Sequence, residues 1–309
     1  MRRSMTRTTT RPWHFSSVIC LLLPVALTFF LCTWNTEAAY PSSALKKNCA
    51  QTARHTEEIL GDNFAVLVKA PFVLAGNVSE DRLREWCDDT VYAAAESLWN
   101  MFFTQRPRKP IRILLLRGDA SYRKTARELY GDRRVSHFGY YRSQDRTMIM
   151  NIGTGGGTLV HELTHALMAP DFPDAPVWFS EAMGALFEKC TIREKRIKGL
   201  VNWRFPELAK AHRNDDVIPL EELFQKNRSD FNGPEKALLY AEARYLALYL
   251  QRRELLTSFY TEFRAHHDTD PTGKKTLQKV TGTSLKDIEE AWLTWVEQLA
   301  ERRETLNSK

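Results

Sequence analysis

Two histidines four residues apart, His161 and His165 in "LVHELTHALM", constrain this chain more than any other feature. The run around them is apolar at Leu159, Val160, Leu163, Ala166 and Leu167 and is broken by Pro170, so the spacing predicts a helix. Helical residues four apart project from one face, and two imidazoles placed so can reach a single metal ion at about 2.0–2.1 Å. Glu162 lies about 60° around the helix from His165, beside such an ion rather than on it. A carboxylate there can take a proton from water and pass it on to a leaving group. A catalytic zinc, however, takes three protein ligands and keeps one open position. The identity of the third ligand therefore decides what the chain can do.

Asp171, six residues after His165, is one candidate. It requires a sharp turn after the second histidine, and Met168 stands where a glycine would ease that turn. Glu181 is the better candidate. The segment "PVWFSEAMGALFE" predicts a second helix starting near Pro176, with Glu181, Gly184, Ala185 and Glu188 on or near one side and small residues that let two helices approach. Glu188 is the next carboxylate on that helix. Each ligating imidazole also needs a partner for its other ring nitrogen, for which Asp171, Asp174 and Glu188 are the candidates.

The segments before this motif alternate between strand and helix. "FAVLVKAPF" (64–72) reads as a strand, and 79–103 as an amphipathic helix capped by Ser79. A buried strand is expected at 111–118, a short helix at 121–131 ended by Gly131, and a hairpin turning at Ser143-Gln144-Asp145. The glycines at 153 and 155–157 are followed by no phosphate-loop lysine, and read as a turn that swings a strand into the histidine helix. From 155 onward helices dominate. One is expected over 233–255 with Pro234 in its first turn, and one over 284–303 with Leu285, Ile288, Trp292, Trp295, Val296 and Leu299 on a single face. The expected fold class is α+β: a small mixed α/β lobe over 39–154, a helical lobe over 155–309, and the active site between them.

Residues 1–38 read as a secretory signal, with Arg2, Arg3, Arg7 and Arg11 ahead of an apolar run over 18–34, and cleavage after Ala38. If it is not cleaved, the segment would anchor the chain to a membrane. It contributes four arginines against one glutamate, so half of the formal net charge of +6 resides there. What remains is too small and too scattered for a nucleic-acid partner. Of five cysteines, Cys49, Cys87 and Cys190 lie beyond this segment; a Cys49–Cys87 disulfide is conceivable in an exported protein, and buried thiols are the default expectation. Asn77 and Asn227 open Asn-x-Ser acceptor patterns for glycosylation.

HELTH followed by WFSEAMGALFE resembles the gluzincin metallopeptidases, in particular the bacterial peptidase MA-like group. The similarity extends over roughly residues 60 to 300 through "FGYYRSQDRTMIMN" and "LLYAEARYLALYL". The resemblance implies a zincin-like fold, a Zn2+ cofactor held by His161, His165 and Glu181, Glu162 as general base, and an exported enzyme acting on a peptide or protein. It also implies a substrate-binding edge strand over 146–152 and Tyr240 as a donor to the tetrahedral intermediate. Where that family carries a glycine after its glutamate ligand, this chain has Ala182, and the gap from His165 to Glu181 is shorter than in thermolysin-like relatives. The alternative is a non-catalytic envelope or scaffold protein that keeps a peptidase-like fold, a role for which an intact Glu162 would be unnecessary.

Overall fold

The computed structural model describes residues 40–307, so the signal segment assigned to residues 1–38 lies outside the described residues. The chain opens with α1 (Ser43–Leu60), whose first turn is capped by the Ser42 hydroxyl accepting from the Leu45 N–H at 3.2 Å. Strands β1 (Ala65–Lys69) and β2 (Phe72–Gly76) follow as an antiparallel hairpin. The run read as one strand over 64–72 is thus two. Pro71 has no N–H to give a ladder, and the chain reverses at Ala70-Pro71 while the apolar pattern continues through the turn.

The helix expected over 79–103 forms in three parts: α2 (Glu80–Glu85), a π-helical stretch (Trp86–Tyr92) and α3 (Ala93–Met101), with Ser79 as its cap. Strand β3 (Ile111–Leu116) and helix α4 (Asp119–Tyr130) come next, the latter ended by Gly131 in the left-handed conformation. Strands β4 (Gly139–Arg142) and β5 (Thr147–Asn151) make the expected hairpin. The sheet order is β1-β2-β3-β5-β4, with β2, β3 and β5 parallel and both edge strands antiparallel to their neighbours.

Alternation along the strands divides the sheet into two faces. Leu74, Ile113, Leu115, Met148 and Met150 belong to the main core with α3 and the helices downstream. Ala75, Leu114, Leu116 and Ile149 pack with Tyr122 of α4, and Val73 packs with Leu45, Cys49 and Ala53 of α1. The edge strand expected at 146–152 is corrected here: β5 lies inside the sheet between β3 and β4, and β4 is the edge. Strand order is a non-local property that residue patterns within a hairpin do not encode.

After the glycine turn, with Gly155 at φ +97°, come α5 (Gly157–Met168) and α6 (Val177–Phe187), then a small hairpin of β6 (Cys190–Arg193) and β7 (Arg196–Gly199). The remaining helices are α7 (Phe205–Arg213), α8 (Leu220–Leu223), α9 (Lys236–Arg252), α10 (Leu256–His266), α11 (Lys274–Thr281) and α12 (Leu285–Asn307). Helix α9 starts after Pro234, not around it. On α12, Ile288, Trp292 and Val296 are buried as the spacing predicted, and Ser284 caps the helix through the Asp287 N–H at 3.2 Å. Residues 40–307 form one compact unit, and the main core runs from Phe72 to Val296 across the 154/155 boundary. Cys49 and Cys87 are free and buried, and Cys190 is a free thiol as well. Among the described residues no helix is long and apolar enough to cross a membrane.

Candidate metal centre

Helices α5 and α6 pack against each other and bring His161, His165 and Glu181 to one point. The two imidazole Nε2 atoms are 3.0 Å apart, and Glu181 Oε2 lies 3.3 Å from that of His161 and 3.5 Å from that of His165. Tetrahedral ligands at about 2.0–2.1 Å from a zinc ion stand about 3.3–3.4 Å from one another, so this triangle has the size such a site requires. Glu181 is only 2% exposed, yet its Oε2 accepts no hydrogen bond. A buried carboxylate oxygen without a donor is costly, and a bound cation would satisfy it. The donor set and its geometry therefore fit a metal ion.

Two glycines make the approach possible. A Cβ on Gly184 would stand 3.0 Å from both imidazole Nε2 atoms, so the bare position 184 lets α6 present Glu181 to the histidines without crowding them. A Cβ on Gly157 would fall 2.5 Å from the carbonyl oxygen of Glu188, so the start of α5 can meet the end of α6 only through glycine.

The outer ring nitrogens are held. His161 Nδ1 meets Glu188 Oε1 at 3.1 Å, and His165 Nδ1 meets Ser180 Oγ at 3.0 Å, which turns both Nε2 atoms inward. Glu188 is clamped by Arg204 through Nε to Oε2 at 2.9 Å and Nη2 to Oε1 at 2.7 Å. Arg204 in turn lies over the rings of Trp203 and Tyr240, at 4.2 and 4.7 Å.

Carboxylate charge is concentrated at this point. Burial works against a charged His161, but the adjacent Glu181 carboxylate, the hydrogen bond to Glu188 and the charge of Glu162 outweigh it and hold the imidazole at about 10. Burial likewise opposes ionisation of Glu188, and the same histidine with Arg204 overcomes it and brings the carboxyl down to about 2. Glu181 lies well below the carboxylate range: burial is opposed by the two imidazoles that face it. Its second oxygen, Oε1, is met by the exposed Arg228.

Glu162 lines the cleft with His161 and makes no hydrogen bond or ion pair among the described residues. Tyr240, on α9, has its ring 6.3 Å from that of His161 and lines the same cleft. Burial first and the neighbouring Glu181 charge second push its hydroxyl far above the ordinary value, so it stays protonated. The cleft encloses about 460 Å³ between α5, the start of β4 at Gly139, and the Trp203–Arg204 segment. Phe138 and Trp203, 50% and 70% exposed, are the most exposed large apolar side chains among the described residues, and both line it.

Asp171, the other third-ligand candidate, is committed elsewhere. Its Oδ1 accepts from the backbone N–H groups of Thr104 (2.7 Å) and Gln105 (2.6 Å), and its Oδ2 from the Tyr260 hydroxyl (2.8 Å) and Arg264 (2.7 Å). Asp174 is exposed and touches neither histidine. Of the three candidates for the imidazoles' outer partners, only Glu188 serves. Ser180, Arg204 and Arg228 carried no signal of their own in the sequence, although Ser180 immediately precedes Glu181. Compared with known proteins, the chain matches no protein-family model and no curated protein at a significant level.

Proposed function

We propose that this chain is an exported zinc-dependent metallopeptidase of the gluzincin type that hydrolyses peptide bonds in an extended substrate. The observation that carries the reading is the His161–His165–Glu181 triangle, with an unsatisfied Glu181 oxygen at its centre and an unpaired Glu162 beside it. A two-imidazole, one-carboxylate set suits zinc and leaves a coordination position open. The antiparallel edge strand β4 beside the cleft supports a zincin-like fold, because an extended peptide can add to such an edge through main-chain hydrogen bonds.

Zinc bound there would supply Lewis-acid polarisation and lower the pKa of water to about 7. Glu162 takes the proton of the attacking water and delivers it to the leaving amine. Tyr240, kept protonated, donates to the oxygen that becomes negative in the transition state, a contact of a kind worth about 2.7–4 kcal/mol. Glu188 and Ser180 keep the imidazoles in their ligating tautomer, and Arg204 keeps Glu188 ionised. Phe138 and Trp203 offer apolar surface to substrate side chains.

Metal analysis of the purified chain tests this, together with peptide hydrolysis. About one zinc per chain is expected, lost in Glu181→Ala and retained in Glu162→Gln, with hydrolysis falling in Glu162→Gln by about 10²–10⁴-fold. A chain that takes up no zinc, or a Glu162→Gln variant as active as the parent, would overturn the reading.

A further inference from the structure

Beyond the metal centre, a second hollow of about 630 Å³ is walled by Arg106, Arg108, Lys109 and Arg146, with no acidic residue lining it. None of these four cations forms an ion pair among the described residues. The nearest carboxylate in sequence, Asp145, is engaged by Arg142 at 3.3 Å. Two of the cations are held in place. Arg106 lies over the rings of Tyr40 and Trp99 at 5.0 and 4.9 Å, and Arg146 donates its Nε to the Pro110 carbonyl at 3.3 Å. Arg108 and Lys109 stand between Pro107 and Pro110, whose fixed φ angles stiffen the loop that carries them. Four positioned like charges around one concavity repel one another and are stabilised by an anionic ligand.

The hollow and the cleft lie along the same two elements: the cleft is walled by Gly139 of β4 and by Thr158 and Glu162 of α5, the hollow by Tyr141 of β4, Ala166 of α5 and Ala169 just past its end. Tyr141 lies within electrostatic reach of both Arg146 and Glu162. From Glu162 to Ala166 and Ala169 is about 6–10 Å along the helix, which an extended peptide covers in roughly two to three residues. Resting on the peptidase reading, we propose that this hollow is a substrate subsite for acidic side chains, binding an Asp or Glu roughly two to three residues from the scissile bond. Its place along the same helix as Glu162 and along the edge strand β4 favours a polypeptide over a lipid headgroup as the source of the carboxylate.

The test uses the full chain with Glu162→Gln, so that binding is read without turnover, and two fluorescent peptides that differ only in a Glu-Glu or Gln-Gln pair. Each exposed ion pair adds a factor of up to about five, so the Glu-Glu peptide should bind roughly fivefold to twentyfold tighter at low salt. The difference should shrink at 1 M salt, where the Debye length is about 3 Å. Adding Arg108→Gln and Lys109→Gln should erase it while the Gln-Gln peptide binds as before, which shows that the fold is intact. Equal affinities for the two peptides, no measurable binding of either, or a preference that survives the double substitution would overturn the proposal. Binding to phosphatidylserine vesicles that depends on Arg108 and Lys109, without discrimination between the peptides, would also overturn it and make the hollow a membrane contact. Because no step depends on hydrolysis, failure here is distinguishable from failure of the peptidase reading, which is judged by zinc content and turnover.

Discussion

Gly184→Ala separates the metal site from the fold that carries it. The added Cβ would lie 3.0 Å from both imidazole Nε2 atoms and 3.1 Å from His161 Cδ2. That is tighter than ordinary van der Waals contact, so each imidazole must retreat by a few tenths of an ångström. A metal site tolerates only about ±0.2 Å in its ligand distances. His161 cannot retreat freely, because Glu188 holds its other nitrogen at 3.1 Å and Arg204 holds Glu188. The expected loss in zinc affinity is about 10–100-fold, the range seen when the groups that orient ligands are disturbed. By linkage this removes about 1.4–2.7 kcal/mol of metal-dependent stabilisation at fixed free zinc. The helix itself is favoured by the change, since alanine in a helix interior is better than glycine by about 1 kcal/mol. Titration with zinc against a competing chelator, alongside thermal melts with and without metal, reads both quantities. A Gly184→Ala chain that binds zinc as tightly as the parent would refute the packing argument.

Glu188→Gln should lower zinc affinity by about 10–100-fold with the fold intact, because an uncharged amide oxygen accepts more weakly from the outer nitrogen of His161 and no longer balances its charge; the same chelator titration checks it. Asp171→Ala should retain zinc but cost about 3–5 kcal/mol in denaturant unfolding, since it strands Arg264 and the Thr104 and Gln105 N–H groups. Glu242 on α9 is buried, with one oxygen on the Ile218 N–H at 2.9 Å and the other without a partner. Burial raises it to about 8. Between the unfolded value of about 4.3 and that point the folded state binds the extra proton, so the contribution of Glu242 to stability is full below about 4.3 and lost as pH rises through about 8. Glu242→Gln should raise the melting temperature at pH 8.5 relative to the parent and flatten this part of the pH profile.

What could be read from residues alone follows from how local each determinant is. The histidine helix, the Ser79 cap, the Gly131 stop and the helix after Pro176 rest on neighbours within a turn or two, and all are present. Glu181 was reachable because ligand, spacing and small residues sit on one predicted helix. Strand order was not reachable: nothing within 139–151 says which strand of that hairpin meets β3. The break at Ala70-Pro71 hides inside an apolar run that reads as continuous. The Arg204 clamp is hidden for the same reason, since its partner, Glu188, lies 16 residues away and the two meet only once the chain has turned through β6 and β7.

All three candidate ligands belong to two helices locked into the main core, and none to a loop that the ion itself must order. Such a centre is a socket built in advance. The ion should leave and return with the chain still folded, and the far-ultraviolet circular dichroism of stripped and reloaded protein should coincide. Cobalt could then be exchanged into the folded protein, giving a coloured reporter of what His161, His165 and Glu181 surround.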